Sequence, residues 1–89
     1  MWFVYILQCS DKTFYTGISE NLEERVDRHN IGRGSVYTKS RRPIILVYSE
    51  CFETKSEARL REIEIKDFSS SNKKRLIKYG HGKEFAKIS

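Results

Sequence analysis

The chain has 89 residues, of which 38% are hydrophobic, 12% aromatic and 33% charged, with a formal net charge of +5. This length fits one domain without room for a second, and the aromatic content is enough for a core, which excludes a disordered chain except at its C-terminal end. The opening apolar run breaks at Gln8, too early for a secretion signal or a membrane span. We therefore expect a globular, cytoplasmic protein that does not enter membranes.

The first two apolar runs, at 2–7 and 14–18, are rich in β-prone residues and separated by polar turn residues. They predict a β-hairpin. A third strand is predicted over 41–52, where Pro43 blocks a helix and aliphatic residues follow. Because this third strand contains few polar residues, we expect it at the centre of its sheet.

Three helices are predicted from capping patterns. Asn21 can cap the first helix, and the glycines within 32–34 can end it. Thr54 begins a capping-box pattern for a second helix over 54–68, and 69–80 predicts a third, shorter helix. The predicted order of elements is ββαβαα.

The two cysteines, Cys9 and Cys51, are far apart in sequence and form no CxxC pair. This spacing favours reduced, structural thiols over a disulfide framework. A zinc site would have to combine them with His29 and His81, four ligands without paired spacing, which is not typical of zinc sites. We expect structural cysteines.

Basic residues are concentrated in two segments that contain no acid. The first segment contains Arg33, Lys39, Arg41 and Arg42, and the second contains Lys73, Lys74, Arg75, Lys78 and Lys83. Such clusters favour a polyanionic partner, because each Lys or Arg that neutralises a phosphate releases condensed counterions. The alternative is a solvated surface that only keeps the protein soluble.

One acid of the second predicted helix falls on a partly apolar stripe. Ala58, Glu62 and Ile65 share one side of a 3.6-residue period. A carboxylate there needs a cation or a metal to offset its desolvation. The alternative is an ordinary ion pair with Lys66, four residues further on, worth about 0.2–0.5 kcal/mol.

Residues 14–30 bring a tyrosine, a glycine, an arginine and a histidine into one short stretch. Tyr15 and Gly17 end the second strand, where we expect the glycine to let the backbone turn closely, and Arg25 and His29 lie four apart on the first helix. The stretch indicates either a phosphate-handling site or a surface helix with common polar residues.

Together these patterns resemble the GIY-YIG nuclease domain. The matching motifs are FVY at 3–5, YTG at 15–17, Arg25 eight residues after Gly17, His29 one turn further, and AxxxE from Ala58 to Glu62. The resemblance covers roughly residues 1–80, leaves 81–89 as a C-terminal tail, and is strongest to small stand-alone bacterial members. One departure is Phe3, which stands in place of the family's leading glycine. The resemblance implies an α+β fold, a three-stranded antiparallel sheet flanked by helices.

The resemblance also implies a site. Tyr5 would accept a proton from the attacking water, and Tyr15 would orient the water or the phosphate. Arg25 would hold the phosphate, and His29 would hydrogen-bond a tyrosine or a phosphate oxygen. Glu62 would bind one divalent cation, Mg²⁺ or Mn²⁺ in its place.

A tyrosine base raises a chemical difficulty, because a phenol with a pKa of about 10 is a weak base at neutral pH. We expect Arg25, His29 and the cation at Glu62 to tune Tyr5 by lowering its pKa. The alternatives are structural: core aromatic rings for Tyr5 and Tyr15, and a solvated helix face for the arginine and the histidine.

The implied function is a metal-dependent endonuclease that hydrolyses phosphodiester bonds in nucleic acid, DNA rather than RNA, at branched, damaged or single-stranded sites. Since the length leaves no room for a second DNA-binding domain, substrate choice would come from the basic segments or from a protein partner. Two other functions fit the sequence: a nucleic-acid-binding module that has lost the chemistry, and an adaptor whose basic faces meet an acidic protein.

Overall fold

The computed structural model describes residues 1–80. In chain order, the elements are β1 (Trp2–Gln8), β2 (Phe14–Ser19), α1 (Leu22–Asn30), α2 (Val36–Lys39), β3 (Ile45–Phe52), α3 (Lys55–Lys66) and α4 (Ser70–Tyr79). The predicted α+β fold is confirmed, with the addition of the short helix α2, which was not predicted. The predicted tail at 81–89, with His81 and Lys83, lies outside the described residues.

The strands form one antiparallel sheet in the order β2-β1-β3, so the central strand is β1. Four consecutive residues, Val4–Leu7, are buried, because successive side chains of β1 point to opposite faces and both faces are covered. β3 lies at an edge and begins with the exposed Ile45 and Leu46. The prediction that the third strand is central was therefore wrong: its low polarity reflects one covered face and an apolar edge.

Two apolar clusters lie on opposite faces of the sheet. The first, beneath α3, consists of Val4, Ile6, Tyr48, Phe52, Ala58 and Ile65. The second consists of Tyr5, Leu7, Cys9 and Ile44, with Leu22 and Val26 of α1 packed against it. The sheet therefore separates α3 from α1, and Tyr5 belongs to the face that α1 covers.

The predicted helix starts are confirmed by their caps. The Asn21 side chain accepts a hydrogen bond from the Glu24 backbone N–H, and Thr54 forms the predicted capping box with Glu57. After α1 ends, Gly32 has a φ of +84°, a left-handed conformation that glycine adopts without a steric penalty. Local sequence thus determines where these helices begin and end.

Both cysteines are free and buried, as predicted. Cys9 follows the end of β1, whereas Cys51 pairs with Phe3 near its start. At about 3.3 Å per strand residue, the two thiols are roughly 20 Å apart, beyond the reach of a disulfide. In the part of the chain that the structure describes, no helix is both long and apolar enough to cross a membrane.

Candidate active site

Tyr5 and Gly17 face each other across the β1–β2 ladder. A Cβ atom added to Gly17 would lie 2.5 Å from the Tyr5 Oη and 2.6 Å from its Cζ, so the phenol ring passes directly over the glycine. Gly17 lies inside β2 and does not form the predicted turn, which was wrong. A glycine is needed here for space, because any side chain would displace the Tyr5 ring.

His29 is fully buried, with 1% of its surface exposed, although it belongs to a polar helix. Its Nε2 lies 3.1 Å from the Tyr5 Oη, the hydrogen bond to a tyrosine that was expected of it. Its Nδ1 lies 2.8 Å from the Thr38 Oγ1, which in turn lies 2.9 Å from the Ser35 Oγ. The interpretation of this histidine as part of a solvated helix face was therefore wrong.

Gly34 makes room for the same imidazole. A Cβ atom at this position would lie 2.1 Å from the His29 Nδ1 and 2.3 Å from its Cγ. Sequence analysis treated Gly34 only as a helix-ending residue, since a contact between a loop and a side chain five residues earlier leaves no local signal. The loop backbone thus covers one side of the histidine.

Arg25 is half-buried beside the phenol. Its guanidinium lies close enough to the phenol to lower the pKa of Tyr5, and its Nη1 lies 3.5 Å from the Ile18 carbonyl oxygen. Its Nε is buried without a hydrogen-bond partner among residues 1–80, where the only other such side-chain atom is the Thr16 Oγ1. Because an unpaired buried donor costs about 1–3 kcal/mol, this arrangement suits a ligand that accepts hydrogen bonds.

The pKa of Tyr5 is raised to about 12, chiefly by burial. The Arg25 guanidinium lowers this pKa but does not outweigh burial, and the charges of Tyr15 and Glu62 raise it further. The expected lowering of the pKa was therefore wrong for the protein without a bound ion, because sequence gave no measure of how deeply the phenol lies.

Burial, and secondarily the charge of Arg25, lower the pKa of His29 below its ordinary value. At neutral pH the imidazole and the phenol are therefore both uncharged. The Thr38 Oγ1 donates to the Ser35 carbonyl oxygen at 3.4 Å, so it accepts from the His29 Nδ1–H, and the Nε2 accepts from the Tyr5 hydroxyl. The result is a directed chain of hydrogen bonds from Tyr5 through His29 to Thr38, with the Arg25 guanidinium beside the phenol.

Tyr15 extends this cluster toward the surface. Its ring lies 5.1 Å from the His29 ring and 6.2 Å from the Tyr37 ring, centroid to centroid, and the two tyrosine rings are inclined by 26°. Tyr37 was missed as a member of the site because it lies on α2, a helix too short for a periodic signal. The only sequence signal was its position between the basic residues of the first segment.

Glu62 is 5% exposed and lies on α3 between Ala58 and Ile65, on the predicted stripe. Its Oε1 accepts from the Arg59 Nη1 at 2.7 Å, and its Oε2 lies 3.2 Å from the Lys66 Nζ. The predicted ion pair with Lys66 is thus present on a buried carboxylate. Although α3 covers the opposite face from Tyr5, the charge of Glu62 raises the pKa of that phenol.

The chemistry of Glu62 fits a divalent cation that keeps most of its water. A carboxylate is a hard oxygen ligand, and Mg²⁺ is commonly held by one or two carboxylates together with waters and substrate phosphates. Within residues 1–80, no group of three or more His, Cys, Asp or Glu side chains could hold a metal ion. Arg59 and Lys66 have side chains 60% and 51% exposed, so both can turn toward solvent.

Two of the seven predicted nucleic-acid contacts are engaged within the fold. The Arg41 Nε lies 3.1 Å from the Asp11 Oδ2, and the Arg42 Nε donates to the Lys39 carbonyl oxygen at 2.9 Å. The other five side chains make no hydrogen bond or ion pair within residues 1–80: Arg33, Lys39, Lys73, Lys74 and Arg75. These five cations are therefore available to a partner.

We expect Thr38→Val to disturb His29 without changing the shape of its surroundings. The valine removes the acceptor of the Nδ1–H, which leaves a buried donor unpaired and lowers the free energy of unfolding by about 1–3 kcal/mol. The ¹⁵N shifts of the His29 ring should also move toward the other tautomer. Thr38→Ser keeps the hydroxyl and should keep the tautomer; equal ring shifts in both variants would contradict this role.

Comparison with known proteins places the chain among relatives of similar size. A family model for the GIY-YIG catalytic domain matches residues 1–75. A UPF0213 protein of Staphylococcus aureus is 55% identical over 76 residues, which cover 85% of this chain and 93% of the relative.

Two solved structures are similar over most of the chain, and both were determined by NMR in solution. The UPF0213 protein of Bacillus halodurans has a TM-score of 0.59 and 36% identity, covering 100% of this chain and 98% of the other. A protein of E. faecalis has a TM-score of 0.58 and 36% identity, covering 85% and 81%. The match over residues 1–75, together with these relatives and the shared fold, leads to one conclusion: the chain belongs to the GIY-YIG nuclease family.

Proposed function

We propose that the protein is a metal-dependent endonuclease of the cytoplasm that hydrolyses phosphodiester bonds in DNA, in the repair or processing of branched or single-stranded sites. The observation that supports this most strongly is the buried Tyr5–His29 hydrogen bond beside the Arg25 guanidinium, whose Nε has no partner within residues 1–80. This arrangement brings together a phosphate-binding cation, a hydroxyl and a neutral imidazole, which are the groups that a hydrolytic attack on phosphate requires.

Arg25 binds the scissile phosphate in this proposal. Its guanidinium is permanently charged, and its Nε has no partner within residues 1–80. A phosphate oxygen would satisfy that donor, and the positive charge would offset the negative charge that grows in the transition state. Tyr15, whose ring lies beside His29, would position the water or the phosphate.

Tyr5 acts as a proton relay and need not ionise first. As the water oxygen attacks phosphorus, the water gives a proton to the Tyr5 oxygen while the Tyr5 hydroxyl proton passes to the His29 Nε2. The phenol thus stays neutral, so a pKa of about 12 is no obstacle. His29 becomes an imidazolium whose Nδ1–H still donates to Thr38, and the leaving oxygen takes a proton from solvent.

Glu62 would hold Mg²⁺ or Mn²⁺, which when bound neutralises charge on the phosphate oxygens. The residues around Glu62 keep its carboxylate in place: Ala58 and Ile65 are buried on the same helix, Arg59 hydrogen-bonds the Oε1, and Lys66 forms an ion pair with the Oε2. In this proposal α3 therefore keeps the carboxylate in a fixed position in which it could bind the cation.

Glu62→Gln should lower metal-dependent cleavage by about 100-fold or more, since losing one electrostatic stabiliser at a reacting oxyanion typically costs that much. The matched control is Glu64→Gln, which removes the same charge from the same helix at a side chain 59% exposed. Initial cleavage rates of an end-labelled DNA, measured over a range of Mg²⁺ concentrations, give the comparison. Equal rates in the two variants would contradict the role of Glu62.

A nucleic-acid-binding module without catalysis is the second candidate. The observation that favours it is the pairing of both Glu62 oxygens with cations of its own helix, which compensates the buried charge without a metal. This candidate predicts binding that is unchanged in Glu62→Gln and no cleavage by the parent.

A further inference from the structure

A basic groove lies outside the Arg25–Tyr5–His29 cluster. It has a volume of about 310 Å³, and its lining includes Lys12, Thr13, Tyr37, Ser70, Lys73 and Lys74. These side chains come from the β1–β2 turn, α2 and α4, and within the described residues no carboxylate lines the groove. A groove along α1, of about 690 Å³, is lined by three carboxylates, of Glu23, Glu24 and Asp27, and by two arginines, Arg28 and Arg33, so carboxylates outnumber cations there and disfavour a polyanion. We call the former the lysine groove.

Lys12, which lines this groove, has a strained backbone conformation. Its φ is +71°, a left-handed conformation that side chains other than Asn and Asp rarely adopt. The adjacent Asp11 accepts from the Thr13 backbone N–H and pairs with Arg41, so it does not neutralise the lysine. Lys12 forms no ion pair within residues 1–80, whereas its backbone N–H donates to the Cys9 carbonyl oxygen at 2.9 Å and closes the β1–β2 turn. The left-handed conformation belongs to this turn, where Gly or Asn would be unstrained, so the strain comes from having a lysine at the position.

The lysine groove continues directly from the candidate active site. Tyr37, which lines the groove, stacks with Tyr15 at 6.2 Å, and Tyr15 lies 5.1 Å from His29. Two successive ring contacts, Tyr37 to Tyr15 and Tyr15 to His29, therefore separate the groove from the histidine. At about 3.4 Å of rise per nucleotide, the combined length of these two contacts corresponds to roughly three nucleotides of a bound strand.

We propose that the lysine groove binds the phosphate backbone of a nucleic-acid strand on one side of the cleaved bond. Lys12 from the turn, with Lys73 and Lys74 from α4, would neutralise two or three successive phosphates. The inference deepens the proposed function and rests on it for the identity of the cleaved bond. Binding in the groove itself depends only on the charge and shape of the groove. It implies that the chain engages strands extending about three nucleotides past the cut.

Lys12→Gly separates binding from folding. Glycine removes the charge and relieves the left-handed strain, so the free energy of unfolding should be unchanged or higher. Affinity for DNA should nevertheless fall by roughly 5–10-fold near 0.1 M salt. The slope of log K against log salt should become shallower by about 0.9 for duplex DNA or about 0.7 for a single strand.

The experiment measures fluorescence anisotropy of end-labelled DNA of about 20 nucleotides, in EDTA, between about 50 and 200 mM salt. The double variant Lys73→Gln/Lys74→Gln should lose about two phosphate contacts, so its slope of log K against log salt should fall about twice as much as that of Lys12→Gly. The control is Lys55→Gln, which removes a cation that lies 5.2 Å from the Trp2 ring, at the far end of β1 from the groove. This control should leave the affinity within about twofold and the slope unchanged.

Parental affinity and slope in Lys12→Gly would overturn the inference. An equal loss in Lys55→Gln would also overturn it, because binding would then follow net charge alone. Binding in EDTA does not depend on cleavage, so the two proposals fail separately. If the parent protein binds DNA through the groove but cuts nothing, the nuclease proposal is contradicted. If the parent cuts DNA and Lys12→Gly binds DNA with parental affinity, the groove proposal is contradicted.

Discussion

Tyr5→Phe should cleave DNA about 100-fold to 10,000-fold more slowly than the parent protein, the range typical of losing a general acid–base group. The phenylalanine keeps the ring over Gly17 but removes the oxygen that hydrogen-bonds His29 beside Arg25. Without that oxygen, the attacking water has no route for its proton to the imidazole. Phosphate binding through Arg25 should persist, so affinity for DNA should change much less than the cleavage rate.

Single-turnover cleavage of an end-labelled DNA, with anisotropy to measure its affinity, tests this prediction. Tyr79→Phe is the matched control, because that phenol is 67% exposed at the end of α4. A Tyr5→Phe variant that cuts as fast as Tyr79→Phe would eliminate the relay and leave Tyr5 as a core aromatic residue.

Gly17→Ala should damage both stability and cleavage. The new Cβ would lie 2.5 Å from the Tyr5 Oη, and the ring cannot move freely, since it is 1% exposed and bonded to His29. Overpacking of this kind costs about 1–3 kcal/mol in the free energy of unfolding. A displacement of the hydroxyl by about 1 Å would also slow cleavage by roughly 100-fold.

A double-mutant cycle tests whether the Tyr5 hydroxyl is the group that the alanine displaces. The Tyr5 Oη is the nearest atom to the added Cβ, so removing it in Tyr5→Phe should partly relieve the clash. Gly17→Ala should therefore destabilise the Tyr5→Phe protein less than the parent, as measured by urea unfolding. Strictly additive losses would mean that the clash involves the ring carbons, led by Cζ at 2.6 Å, and not the hydroxyl.

Local chemistry made much of the fold predictable. Side-chain oxygens at Asn21 and Thr54 cap α1 and α3 where the sequence predicted, because a cap needs only residues within one turn. The order of the strands in the sheet was harder to predict from the sequence. A run of apolar residues does not show which neighbours a strand has, so β1 could not be distinguished from β3 as the central strand.

The site was predictable where a motif fixed its residue, and not where it depended on tertiary contacts. Periodicity placed Glu62 on a buried stripe of α3. In contrast, Gly17 and Gly34 are small because side chains from elsewhere lie over them, and Thr38 supports His29 from a four-residue helix. The raised pKa of Tyr5 has the same origin, since burial is set by the whole fold.

The most direct test of the nuclease proposal is cleavage by the parent protein of an end-labelled panel: single-stranded, duplex and flap DNA, and RNA. Each substrate is incubated with Mg²⁺, with Mn²⁺ or with EDTA, and its binding is measured in parallel. The proposal predicts that at least one DNA is cut at an internal bond with the metal and left intact with EDTA. Binding to the panel without cutting under any of these conditions would contradict it and support a module that holds phosphate but does not break it.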